Sequence, residues 1–205
     1  MQKWLLFFRP IQIAPSISKD AALNPPIVAY LTLTIATGLW AIMQLNEDSI
    51  QKMGALLYQL NLVSIIFVEP FSPLIGAACI HFAAKKMMSL EGSLRRLILL
   101  MYYAGIGSAV CRALLVFATH PAQEPAGLSP QNLEGLPAPI PLFVMLLTIA
   151  LGLYSIYVTI RMTMVNYSVS LKAAVKLMIY STLLLSALAI IFMVVFVAGV
   201  GTGSR

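Results

Sequence analysis

Residues 142–160 read LFVMLLTIALGLYSIYVTI, nineteen residues without one charge. At about 1.5 Å per residue, a helix of this length spans ~28 Å, close to the ~30 Å hydrocarbon core of a bilayer. The run is too long for a strand and lacks the two-residue alternation of an outer-membrane barrel. It predicts a helix that crosses a membrane.

Four further stretches read the same way. Residues 27–45 are opened by Pro25-Pro26 and closed by Asn46-Glu47-Asp48. Residues 60–84 carry Glu69, Pro70 and Pro73, and residues 97–118 carry Arg112. Residues 177–200 run into the short tail 201–205, expected to be flexible. The expected fold is therefore all-α, a polytopic membrane protein with five transmembrane helices between 25 and 200.

Composition agrees. Hydrophobic residues make up 60% of the 205 and charged residues 10%, where soluble domains have about 45–50% and about 25%. A soluble enzyme domain, a disordered chain and a disulfide scaffold are excluded on these numbers. Two His and seven acids leave little material for metal or acid–base chemistry.

The bases set the orientation. Lys3, Arg9 and Lys19 precede the first span; Lys85, Lys86, Arg95 and Arg96 follow the second; Arg161, Lys172 and Lys176 follow the fourth. The opposite side has only Lys52 and Arg205. By the positive-inside rule the N-terminus is cytoplasmic and the C-terminus outside. The net charge of +6 is thus a topology signal, not a nucleic-acid footprint.

Residues 1–24 do not read as a convincing signal peptide, since Arg9-Pro10 stops the apolar run early. Trp4, Phe7, Phe8 and Ile11 cluster on one side, which fits either a short interfacial helix or a tail with aromatic anchors. Residues 50–60 carry apolar positions at helical spacing, so the second span is expected to start outside the membrane. Residues 120–141 hold six prolines and read as an extended external loop.

Glu69 and Arg112 are the charged residues within spans. Counting along antiparallel helices places them roughly 12 Å and 10 Å below the external ends, so they can pair. The pair reads as a buried clamp that fixes helix register or as part of a water-lined site. Pro70 and Pro73 make a helix break, because each removes a backbone donor. Gly76, Gly105 and Ser108 lie in small-xxx-small patterns and are candidate helix-packing positions. His81 and His120 lie at opposite ends, so no metal or other cofactor is expected. Cys79 and Cys111 also lie at different depths and read as free thiols. The Gly199-Val200-Gly201-Thr202-Gly203 run resembles a phosphate loop only superficially, and no span carries a catalytic constellation.

The chain resembles the Yip family, the Rab GTPase-interacting five-pass membrane proteins, in its prokaryotic form. The resemblance rests on Phe8-Arg9-Pro10 before the first span, Gly76 to His81 ending the second, and Gly92-Ser93 before Tyr102-Tyr103-Ala104. It continues through Pro139 and Pro141, Leu153-Tyr154 to Arg161, and Ser170 with Lys172-Ala173. The Tyr-Gly-Pro signature of eukaryotic members is missing, so Rab binding is not carried over. What the resemblance implies is a non-catalytic membrane-organising protein or accessory/adaptor subunit of a bacterial inner (cytoplasmic) membrane. Membrane lipids and other membrane-protein subunits are its expected partners. The alternative is a small transporter or channel using the kinked second helix. A polar cavity reaching Glu69 would favour transport; a dry, packed Glu69–Arg112 pair with an apolar outer groove would favour the adaptor.

Overall fold

The computed structural model describes residues 3–43, 64, 68–119 and 139–202. Every regular element among them is helical. A 3-10 turn at Lys3–Leu5 leads to α1 (Pro10–Ile13) and a second 3-10 turn at Ala14–Ser16. The long helices follow: α2 (Asn24–Met43), α3 (Glu69–Met87), α4 (Leu94–Thr119), α5 (Pro139–Tyr167) and α6 (Leu171–Thr202). Among the described residues, three stretches are long and apolar enough to cross a membrane: Leu94–Leu115, Leu142–Tyr167 and Leu171–Ile191. The expected helical lead-in at 50–60 and the external loop up to residue 138 lie outside the described residues.

The helices run past the boundaries that hydropathy suggests. The fourth continues from Ile160 to Tyr167 and the last begins at Leu171, not Leu177. Arg161, Lys172 and Lys176 therefore sit on helices rather than in a loop. Gly201 and Thr202, expected in a flexible tail, continue α6. Charge ends an apolar run, but capping chemistry ends a helix. At the α5 terminus Ser168 takes a left-handed φ of 53° and the Val169 amide donates back to the Met164 carbonyl at 3.2 Å, a Schellman closure. Ser170 then caps α6, its Oγ accepting from the Ala173 amide at 3.4 Å. Ser93 caps α4 in the same way, through the Arg96 amide at 3.2 Å.

α4 is the central helix. Of its spanning window 56% is buried inside the protein, against 11% for α5 and 17% for α6. It packs on α2, α3, α5 and the first 3-10 turn, and α6 closes the bundle against α3 and α5. His81 of α3 hydrogen-bonds Tyr167 of α5 at 2.9 Å. That contact puts the α3–α4 and α5–α6 turns, with their bases, at one end of the bundle.

The N-terminal segment packs into the bundle on one side. Leu6, Phe7, Pro10, Ile13, Ala14 and Ile17 are buried, while Trp4, Phe8 and Ile11 face outward. The expected one-sided aromatic cluster is thus split. Phe7 seats against Gly107, where any Cβ would collide with its side chain, and its ring meets Tyr154 edge-on at 5.1 Å. Gly107 lies about 20 Å along α4 from Leu94, whereas Arg96 lies about 3 Å along it. The Arg96 guanidinium donates to the carbonyls of Ile17, Ala14 and Pro15 at 3.0, 3.4 and 3.3 Å. Residues 7–17 therefore run lengthwise down the bundle. Their irregular backbone is tolerated beside membrane-length helices because protein groups satisfy it.

The glycines divide by contact. A Cβ on Gly105 would fall 2.8 Å from the Tyr30 ring of α2, so this residue sets the α2–α4 approach. Gly76, expected to be a packing position, would meet nothing within 4 Å. Gly107→Ala is expected to lower thermal stability in detergent by about 1–3 kcal/mol through overpacking. Gly76→Ala, in the same thermal melt, should be neutral or stabilising by up to ~1 kcal/mol.

Candidate functional site

α3 is described from Glu69, with Pro70 in its first turn and the π-helical Val68 directly before it. Pro73 lies inside it, and the helix runs on through it to Met87. What Pro73 removes is the bond to the carbonyl four residues back, that of Glu69. Two side chains replace it. Ser72 Oγ donates to the Glu69 carbonyl at 2.8 Å and the Tyr30 hydroxyl donates to it at 3.4 Å. The freed acceptor thereby ties α2 to the start of α3.

Glu69 and Arg112 meet at the same level, with Oε1 and Nη1 3.9 Å apart. The Arg112 side chain is 62% exposed and that of Glu69 40%. The protein itself therefore leaves much of both side chains uncovered, so the pair is not packed inside the bundle. Contact at the limit of ion pairing between exposed groups is worth little.

Below the pair lies an open cavity of about 290 Å³ lined by residues of α2 to α6 and by Phe7. This is near the lower end of the roughly 300–1,000 Å³ typical of small-molecule pockets. Arg112, Ser72, Pro73, Gly76, Gly105 and Ser108 all line it, so most of the residues singled out from sequence converge on one space; Glu69 and Pro70 do not line it. Five hydroxyls on its wall have committed their protons to carbonyls of their own helices. Ser72 donates to Glu69, Ser155 to Leu151, Thr159 to Ser155, and both Ser181 and Thr182 to Met178, all at 2.8–2.9 Å. They present acceptor lone pairs to the cavity. The inner end is lined by buried Cys79, Ile80, Met101 and Met162. The lining carries no carboxylate.

The hydroxyl wall is what sequence reasoning missed. Ser155, Thr159 and Thr163 recur every four residues on α5, a one-sided polar stripe that is visible in the sequence. Tyr30 and Phe7 carried no such mark. Cys79 and Cys111 are free thiols. His81 is engaged with Tyr167, and His120 lies outside the described residues. No cluster of three or more potential metal ligands occurs among the described residues.

Compared with protein-family models, curated proteins and solved structures, the chain matches none.

Ser72→Ala should cost about 1 kcal/mol of stability, because the Glu69 carbonyl loses its best donor. In a Pro73→Ala background the restored amide supplies that bond, and the same Ser72→Ala change should be close to neutral in a thermal melt. A double-mutant cycle on Glu69→Gln and Arg112→Gln should give a coupling energy below about 1 kcal/mol.

Proposed function

We propose that the chain is a five-span, non-catalytic integral membrane protein of the Yip kind, acting by association with lipid and with other membrane subunits. The spans would be 27–45, 60–84, 97–118, 142–160 and 177–200, with a cytoplasmic N-terminus, in a bacterial inner membrane. The observation that carries this reading is how little of the outer helices the protein covers itself. Only 11% of the α5 window and 17% of the α6 window are buried, and the exposed remainder is chiefly Leu, Ile, Phe, Met and Val. Surfaces of that kind must be covered by lipid or by another apolar surface. The bases at the end shared by the two short turns support the orientation.

A small transporter remains the second reading, and one observation favours it. The cavity reaches Arg112, beneath an exposed rather than packed ion pair. Against it, the inner end of that cavity is apolar, and five hydroxyls already donate within their helices.

Topology is tested with Cys79 and Cys111 replaced and single cysteines introduced. Ser89→Cys and Ser168→Cys should resist an impermeant maleimide in intact cells and react in inverted vesicles, while Gln123→Cys should do the opposite. Gentle extraction followed by mass spectrometry should recover stoichiometric lipid or partner subunits. A bare monomer would count against the associative role, and uptake of a solute by reconstituted protein would favour the second reading.

A further inference from the structure

Each arginine in the bundle ends of α4 spends its donors on oxygen. Arg96 holds three carbonyls, Arg95 reaches the Ala21 carbonyl at 3.5 Å, and Arg112 faces Glu69. Arg161 of α5 is different. Among the described residues its Nε is buried with no hydrogen-bond partner, and its one hydrogen bond there runs from Nη1 to the Met164 sulfur at 3.6 Å. The guanidinium carbon lies 5.7 Å from the centroid of the Tyr157 ring. Among the described residues no carboxylate comes within ion-pairing distance of it. Nε itself is sealed inside the protein, so an acceptor from outside the chain must be met by the Nη groups, of which Nη2 has no partner among the described residues.

Arg161 lines a cavity of about 280 Å³ on the outside of the bundle, at the junction of α5 with the N-terminal segment. Ile11, Met164, Val165 and Val169 supply apolar walls, and Ser168 of the α5–α6 turn supplies a hydroxyl. Arg161 sits about 9 Å along α5 from its end at Tyr167, at the bundle end that gathers the bases. The site thus pairs one unsatisfied guanidinium with an apolar cleft, at the level of an interface.

We propose that this cleft seats the headgroup of an anionic phospholipid, its phosphate accepting from Arg161 and its acyl chains lying on Ile11, Val165 and Val169. A planar guanidinium matches phosphate oxygens in a bidentate fork, and basic clefts at the cytoplasmic ends of membrane helices suit anionic headgroups. The inference rests on the membrane reading above and adds the lipid class and the residue that selects it.

The test uses the full chain. Flotation with phosphatidylcholine vesicles and with vesicles containing one-fifth phosphatidylglycerol comes first; a chain that floats with neither, and stays soluble without detergent, overturns the membrane reading itself. Native mass spectrometry in mild detergent then measures retention of phosphatidylglycerol against phosphatidylcholine. One interfacial arginine should give a preference of about fivefold. Arg161→Gln should abolish that preference, and Arg161→Lys should keep part of it. Ile11→Glu, a change at an outward-facing residue, supplies an internal carboxylate and should abolish it as well, which keeps the test valid if Arg161→Gln fails to fold. Glycerol phosphate or inorganic phosphate at millimolar concentration should not compete, because neither has chains to fill the cleft. Equal retention of both lipids, an unchanged preference in Arg161→Gln or Ile11→Glu, or displacement of the lipid by inorganic phosphate would each overturn the proposal.

Discussion

Two absent side chains on α4 decide how the rest of the bundle packs. At Gly105 the Tyr30 ring of α2 approaches to where a Cβ would stand 2.8 Å away, and at Gly107 Phe7 occupies the equivalent space. Both residues lie on the most buried of the three membrane-length helices among the described residues. Their neighbours on the same turns, Tyr102, Tyr103 and Ile106, are buried large residues that fill what the glycines leave. In lipid, water contributes no drive to helix association, so backbone approach and close packing must supply it. The α2 contact and the lengthwise seat of the N-terminal segment both depend on these two positions.

Close approach brings irregular backbone inside the bundle, and each buried carbonyl then needs a donor. The structure answers with one local device per site. Arg96 covers the end of the 3-10 turn, Ser72 and Tyr30 cover the carbonyl that Pro73 frees, and Ser93 and Ser170 cap helices at the two short turns. A base that counts toward topology can therefore also hold the chain together. Arg96 does both. Arg161 is the exception on that list, since its Nε has no acceptor within the described residues.

Much of this was legible in the sequence. Uncharged runs such as 142–160 specify long helices because no other backbone satisfies its own polar groups in an apolar medium. The Glu69–Arg112 proximity also follows from counting rise along antiparallel helices. Where the structure differs, the cause is tertiary. Hydropathy stops at Arg161, but the helix continues to the αL residue Ser168, since a charge at a helix end need not end the helix. The fate of Phe7 could not be read from residues 1–24, because its partner is an absence on a helix a hundred residues away. Gly76 and Gly105 share the same spacing motif, yet an added Cβ would meet nothing at one and the Tyr30 ring at the other. Spacing cannot tell them apart.

The seat of Phe7 also imposes an order on assembly. The Tyr154 hydroxyl that bonds the Phe8 carbonyl lies 146 residues further along the chain. A ribosome adds roughly 5–20 residues each second, so the segment made first waits several seconds or more before α5 exists to receive it. Until then the α4 side of its seat, at Gly107, is in place but the α5 side, at Tyr154, is missing. Whatever shields that open side while α5 is being made is as much a requirement of this fold as the two glycines on α4.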